Sequence, residues 1–253
     1  MAFLTDPFFV LVAVAAVLIA GVSKGGFGGG LVVLAVPLMA LSTGPVTAAA
    51  ILLPVLCVMD LLGLRAFWRR WDRGLIRLLI PPALAGVAVG TLSFRYLGED
   101  WIRLLIGLIA TAFSLRYWHS GRRRGARSPD RRQGRFWSGI AGFTGFVAHS
   151  GGPPLNVYLL PLGLERTVYQ ATTVAYFAII NYVKLLPYAW LGQLSAENLA
   201  VSLVLLPLAF AGVRLGVHLH HRISETTFYT VAYLLLFLTG ARLIYDGLGG
   251  LLA

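Results

Sequence analysis

Charged residues are scarce in this sequence: of its 253 residues, 12% are charged and 58% are hydrophobic. Soluble proteins carry about 25% charged residues, and a water-soluble fold needs a polar exterior that this composition does not supply. A lipid bilayer removes the need, because hydrocarbon accepts apolar side chains on helices whose backbone groups are bonded internally. The composition therefore predicts an all-α polytopic membrane protein.

Cysteine pairs and the common metal-binding and nucleotide-binding motifs are also missing. Cys57 is the single cysteine, which excludes an internal disulfide or a CxxC pair. The sequence contains no HExxH or Walker motif, and nothing in it indicates a metal cage, a nucleophile–base pair or a nucleotide site. We therefore expect no cofactor, no metal and no enzymatic activity. The first apolar run, 7–22, lacks a preceding basic region and is predicted to be retained, not removed as a signal peptide.

Basic charge is plentiful but unevenly distributed. The net charge is +11, and eight arginines lie in the stretch 116–135, with five more in 65–77. Beside apolar runs, such clusters mark cytoplasmic loops that face anionic lipid. The expected partners are thus membrane lipid and not nucleic acid. The expected location is the cell (inner) membrane, with both stretches cytoplasmic, and the sequence leaves open whether the chain forms a homodimer.

Ten apolar runs follow one another along the chain. Six are close to the ~20 residues that cross a bilayer; they are 44–64, 74–94, 101–118, 168–191, 198–217 and 226–248. Four shorter runs form two pairs around breaks rich in glycine or proline, namely 7–22 with 28–41 and 136–148 with 154–164. Runs this short are typical of re-entrant segments. The alternative is that each pair forms one long, bent span.

The chain repeats itself. A shift of 124 residues places Gly21–Leu38 (GVSKGGFGGGLVVLAVPL) over Gly145–Leu162 (GFVAHSGGPPLNVYLLPL), with glycines and prolines in register. The positions of the arginines orient the two halves oppositely. We therefore predict inverted repeats at 1–118 and 136–253, joined by a basic cytoplasmic linker at 119–135. Each repeat would contain a broken or re-entrant helical pair plus three transmembrane helices. If each short pair crossed once, the repeats would be parallel with eight spans.

The two breaks are the candidate substrate site. Each looks like a turn followed by a helix start, where free N–H groups and the helix dipole attract anions, and transporters use such breaks near the midplane. Both lysines of the chain lie in apolar surroundings. The predicted substrate-binding residues are Ser23, Lys24, Gly25, Gly26 and Gly28 at the first break, His149, Ser150, Gly151, Gly152, Asn156 and Tyr158 at the second, and Asn181 and Lys184 in the next span.

Each of these residues also has a structural interpretation. The glycines can serve close helix packing, the lysines can extend to the membrane surface, and His149 can be a hydrogen-bonded packing residue. Asp60 is expected near the cytoplasmic end of its span, paired with an arginine such as Arg65.

At the two breaks the sequence resembles the TauE/SafE family of sulfite exporters and related permeases. The matching stretches are GVSKGGFGGGLVVLAVPL and GFTGFVAHSGGPPLNVYLLPLGLERTVYQATTVAYFAIINYVKLLPY. The resemblance implies transport of a small anion, above all a sulfur-containing acid such as sulfite or an organosulfonate. Alternating access between the two repeats is the expected mechanism. An anion channel on the same scaffold, or a membrane enzyme or assembly factor without transport, are the alternatives.

Overall fold

The structure, a computed structural model, describes residues 5–26, 29–120, 130–219 and 225–252. In these segments the regular structure is helical, without strands, which confirms the predicted all-α class. Gly28 and residues 121–129 of the basic linker lie outside the described residues. The helices in chain order are α1 Pro7–Gly26, α2 Ala35–Thr43, α3 Pro45–Ala66, α4 Arg73–Tyr96, α5 Glu99–Ser120, α6 Arg131–Ala148, α7 Gly152–Leu159, α8 Arg166–Trp190, α9 Ala196–Leu219 and α10 Glu225–Leu252, with 3-10 segments at Gly30–Leu34 and Leu160–Leu162.

Several helices are long and apolar enough to cross a membrane. Within the described residues five qualify by length and hydropathy, at Pro7–Gly26, Pro45–Ala66, Arg73–Phe94, Ala196–His218 and Tyr233–Leu252. α5 and α8 were also predicted as spans, and their 22 and 25 residues are sufficient in length. α8 is less apolar because it contains polar residues such as Thr172, Asn181 and Lys184, all of which are buried. Its polar face therefore points into the protein.

The first short pair forms a hairpin, and its first helix is longer than predicted. α1 continues four residues beyond the predicted end at residue 22 and reaches 20 residues. It can do so because partners inside the protein satisfy the polar groups of its last turn, as described below. The hydroxyl of Ser42, at the end of α2, donates a hydrogen bond to Asp6 Oδ2 at 3.5 Å, just before α1 begins. The hairpin thus begins and ends on the same side of the bundle.

The second short pair folds back in the same way. Gly134, in the first turn of α6, lies against the ring of Tyr158 near the end of α7; a Cβ atom added at Gly134 would lie 2.7 Å from Tyr158 Cζ. The two ends of this pair are therefore adjacent too. In both pairs the chain folds back as a hairpin and does not form one long bent span.

Each hairpin packs along a helix of the other half through small residues. Gly21 of α1 lies against the backbone of Gly212 in α9, and Gly142 of α6 lies against the backbone of Ala83 in α4. Such small residues let helix backbones approach closely in membranes. α5 and α10 pack against each other, and so do α3 and α8.

Of the five helices that qualify as spans, α3 is the most buried. In its apolar window 67% of the residues are buried, against 28% in α10. α3 contacts α1, α8 and α9, so a polar side chain on α3 is enclosed by both halves of the chain. This arrangement positions the site.

Candidate functional site

An ion pair lies between α1 and α3. Lys24, in the last turn of α1, pairs with Asp60 of α3, and both side chains are buried. Asn181 of α8 donates from Nδ2 to the second carboxylate oxygen of Asp60 at 2.7 Å. The expectation that Asp60 pairs with an arginine such as Arg65 is therefore wrong. Arg65 lies five residues further along α3, on another face of the helix, and is exposed.

A second polar cluster lies between α6 and α8. Lys184 Nζ donates to the carbonyl oxygen of Gly145 at 2.7 Å and lies 2.7 Å from His149 Nδ1. His149 Nε2 lies 2.9 Å from the carbonyl oxygen of Ala49 in α3. A carbonyl oxygen only accepts, so Nε2 carries the proton and Nδ1 accepts from Lys184. His149 is thus a neutral ring that joins α3 to α8.

Both lysines are enclosed by protein. Their relative exposures are 5% for Lys24 and 1% for Lys184, which excludes the interpretation that either side chain extends to the membrane surface. They line one internal cavity together with His149 and Asn181. Its volume is about 10 Å³, which is room for about one water molecule. In this conformation the site is closed.

The first hairpin tip is held by Ser23. Its hydroxyl accepts from the backbone N–H of Leu31 at 3.0 Å, and its carbonyl accepts from Gly29 N at 3.0 Å. Gln170 of α8 donates from Nε2 to the carbonyl of Lys24 at 2.8 Å. The last turn of α1 is therefore fixed from two sides, and Ser23 acts in closing the turn.

The second tip turns at His149, whose φ of 51° is left-handed. This conformation is uncommon for residues other than glycine, and surrounding contacts must impose it. The Ser150 N–H donates to the carbonyl of Thr144 at 3.1 Å, and the Thr144 hydroxyl donates to the carbonyl of Ser150 at 3.0 Å. The Ser150 hydroxyl itself donates to Ala148 O at 3.1 Å. Ser150, like Ser23, closes its turn.

The glycines of the two tips serve close approach. A Cβ atom added at Gly152 would lie 3.1 Å from Gly30 Cα, so the tips contact each other directly. Gly25 lies against the backbone of Val213 in α9, and Gly151 against the carbonyl of Ala141 in α6. Gly26 is buried at the end of α1. Gly25 and Gly151 therefore allow close packing of helices, which is the structural interpretation given above for the glycines.

Two predicted site residues lie elsewhere. Asn156 accepts a hydrogen bond from the hydroxyl of Tyr169 at 2.7 Å, and Tyr169 lies fifteen residues before Lys184 on α8, about 22 Å along the helix. Tyr158 packs on Gly134 at the base of the hairpin. Neither residue lines the cavity between the two lysines.

Sequence reasoning missed three residues of the cluster. Asp60 and Gln170 hold Lys24, as described, and the Tyr188 hydroxyl donates to the carbonyl of Phe146 at 2.8 Å. For Asp60 a signal was available: it is the acidic residue of the span 44–64, and the 124-residue shift carries it onto Lys184. For Gln170 no comparable signal was present.

The bundle is apolar, and charged side chains are buried where the two hairpin tips meet. These features define a polytopic membrane protein with a polar interior site. Buried charges of this kind mark substrate pathways in membrane proteins. The family model of the sulfite exporter TauE/SafE matches residues 13–243. The chain belongs to this family, as its motifs predicted. No curated protein and no solved structure was found to match it.

Family membership supports membrane transport of a small anion and favours a transport role over an enzymatic one. In the part of the chain that the structure describes, no group of three or more His, Cys, Asp or Glu side chains could hold a metal ion.

Proposed function

We propose that the chain is a secondary transporter that moves a small anion, a sulfur-containing acid such as sulfite or an organosulfonate, by alternating access. The observation that carries the proposal is the charge of the buried site. Lys24 and Lys184 bring two amino groups that can each carry a proton, Asp60 brings one carboxylate, and the His149 ring is neutral. With both lysines protonated, as they would be beside a bound anion, the site has one more positive than negative group.

A buried charge inside a membrane costs several kcal/mol unless it is paired. Asp60 balances one ammonium group. An anion in the cavity would balance the other, so the site favours an anionic ligand. A sulfur oxyanion is larger than the water-sized cavity, so binding requires the residues around the cavity to move apart. A site that must open to bind fits a carrier better than a permanently open channel.

The helix packing supports two inverted repeats, 1–118 and 136–253, as the moving parts. α1 runs parallel to α9 and α6 runs parallel to α4, because contacts advance in the same direction along both helices of each pair. α3 and α8 run antiparallel, with Gly63 against Val174 and Asp60 bonded to Asn181. With these directions the two hairpins enter the bundle from opposite sides.

The basic stretches assign those sides. Placing the arginines of 65–77 and 116–135 in the cytoplasm makes the first hairpin enter from outside and the second from the cytoplasm. We propose the cell (inner) membrane as the location, with lipid around the bundle. The two tips meet between the halves, where a rocking motion would expose the site to each side in turn.

The test is transport by the purified protein in liposomes. We expect saturable uptake of sulfite or an organosulfonate, with counterflow when the lumen contains the same anion. Currents of single channels would favour the channel instead, and movement of no sulfur oxyanion, sulfonate or carboxylate would favour a role without transport.

A matched pair of variants locates the activity. Lys184→Gln removes the buried cation and should abolish uptake. Arg242→Gln also removes one cation, but from an exposed ion pair with Asp246, and should leave uptake unchanged. Equal uptake by the two variants would place the site elsewhere.

A further inference from the structure

We infer that the site accepts one net negative charge, so that its substrate is a monoanion, and that Lys184 sets this valence. The inference rests on the proposed transport function and adds the charge of the substrate to it. It distinguishes sulfonates and hydrogen sulfite, with one charge, from sulfate, with two.

The charge count covers the titratable groups that act on Lys184 or bond to it. α1 contributes Lys24, α3 contributes Asp60 and the buried thiol of Cys57, and the end of α6 contributes His149. The thiol and the imidazole are neutral, and with both lysines protonated the carboxylate cancels one of the two ammonium groups. One positive charge is left for a ligand to balance.

That charge belongs to Lys184 more than to Lys24. Lys24 contacts the Asp60 carboxylate directly, and Asn181 holds the other oxygen of that carboxylate in place. The two hydrogen-bond partners of Lys184 are uncharged, the Gly145 carbonyl and His149 Nδ1. An ammonium group has three donors, so one donor of Lys184 remains for a ligand, and Lys184 lines the cavity.

A dianion would be poorly accommodated. Lys184 balances only one of its charges, so the second would stay unbalanced in a region of low dielectric, where an unbalanced charge is costly. The neutral His149 ring offers no compensation, because its Nε2–H is bonded to Ala49 and its Nδ1 accepts from Lys184. Protonation of Nδ1 would break that bond. The site therefore discriminates by charge among anions of similar shape.

Methanesulfonate and sulfate are suitable probes, because both are tetrahedral at sulfur and keep charges of one and two across neutral pH. Thermal stabilisation of the purified protein, titrated with each anion, reports binding to the folded state. We expect methanesulfonate to bind the wild-type protein at least about tenfold more tightly than sulfate. Equal or tighter binding of sulfate overturns the inference, and this comparison needs no variant.

Two variants assign the charge to Lys184. Lys184→Gln removes it, and we expect the affinity for methanesulfonate to fall about 100-fold or more. The double variant Lys24→Gln/Asp60→Asn removes opposite charges and leaves the net charge unchanged, so its preference for methanesulfonate over sulfate should persist. Loss of the preference in the double variant, together with retention in Lys184→Gln, overturns the assignment.

Liposome transport separates this inference from the proposal on which it rests. Uptake of methanesulfonate and sulfate at equal rates by the wild-type protein overturns the monoanion inference but leaves the transporter intact. Failure of every tested sulfur anion and carboxylate to cross removes the proposed function itself.

Discussion

The two hairpin tips occupy matching places in the two halves and differ in charge. At the first tip the basic residue Lys24 faces a carboxylate, Asp60; at the second tip His149 faces an ammonium group, that of Lys184. Asp60 and Lys184 lie 124 residues apart, the shift that relates the tips. An acid–base pair satisfies itself, whereas two basic groups do not. Two matching tips can therefore differ in role: an ion pair closes the first, and the second is where we propose that the anion binds.

The largest expected effect comes from breaking the ion pair between Lys24 and Asp60. Asp60→Asn leaves Lys24 as a buried ammonium group without a carboxylate, and we expect the free energy of unfolding to fall by about 3–5 kcal/mol. The midpoint of thermal unfolding in detergent measures the change. The double variant Lys24→Gln/Asp60→Asn should recover most of the loss, because no unpaired charge remains. A double variant as unstable as the single one would show that the pair does not stabilise the first tip.

A second comparison uses glycines that the repeat brings into register. A Cβ atom added at Gly21 would lie 2.9 Å from backbone atoms of Gly212, so the two helices must move apart. Gly21→Ala should therefore destabilise the protein by about 1–3 kcal/mol. At Gly145 the nearest neighbour of an added Cβ is Gly151 Cα at 3.6 Å, an ordinary contact. Gly145→Ala should stabilise the protein by about 0.4–1 kcal/mol, because alanine restricts the unfolded chain.

The measurement is again the thermal midpoint of the purified variants, compared directly. Shifts in opposite directions would confirm that only the first of these two glycines serves close packing. Equal shifts would contradict the contact geometry of the two hairpins.

Hydropathy was sufficient to predict the helices, because bilayer length and composition leave few alternatives for apolar runs. The end of α1 was placed four residues too early, because a lysine and two glycines look like a break when their partners are unknown. Those partners are distant: Asp60 lies 36 residues from Lys24, and Asn181 lies 121 residues from Asp60. Partner choice depends on which helices pack together, and hydropathy carries no such information.

The same limit explains why two of the predicted site residues lie away from the cavity. Asn156 and Tyr158 follow the second break closely in sequence, but α7 leads away from the tip toward the base of the hairpin. Nearness in sequence to a turn predicts nearness in space for only about one helical turn. Lys184, much further along the chain, reaches the tip because α8 runs past it.

The smallest expected effect concerns how the second tip is anchored. The Tyr188 hydroxyl donates to the carbonyl of Phe146 near the end of α6, whereas at the first tip Gln170 donates to the carbonyl of Lys24. Tyr188→Phe keeps the ring and removes one buried hydrogen bond, so we expect a loss of about 0.5–1.5 kcal/mol. Amide hydrogen exchange should become faster in the last turn of α6 and stay unchanged in the last turn of α1. Faster exchange in both turns would mean that α8 holds the two tips as one unit.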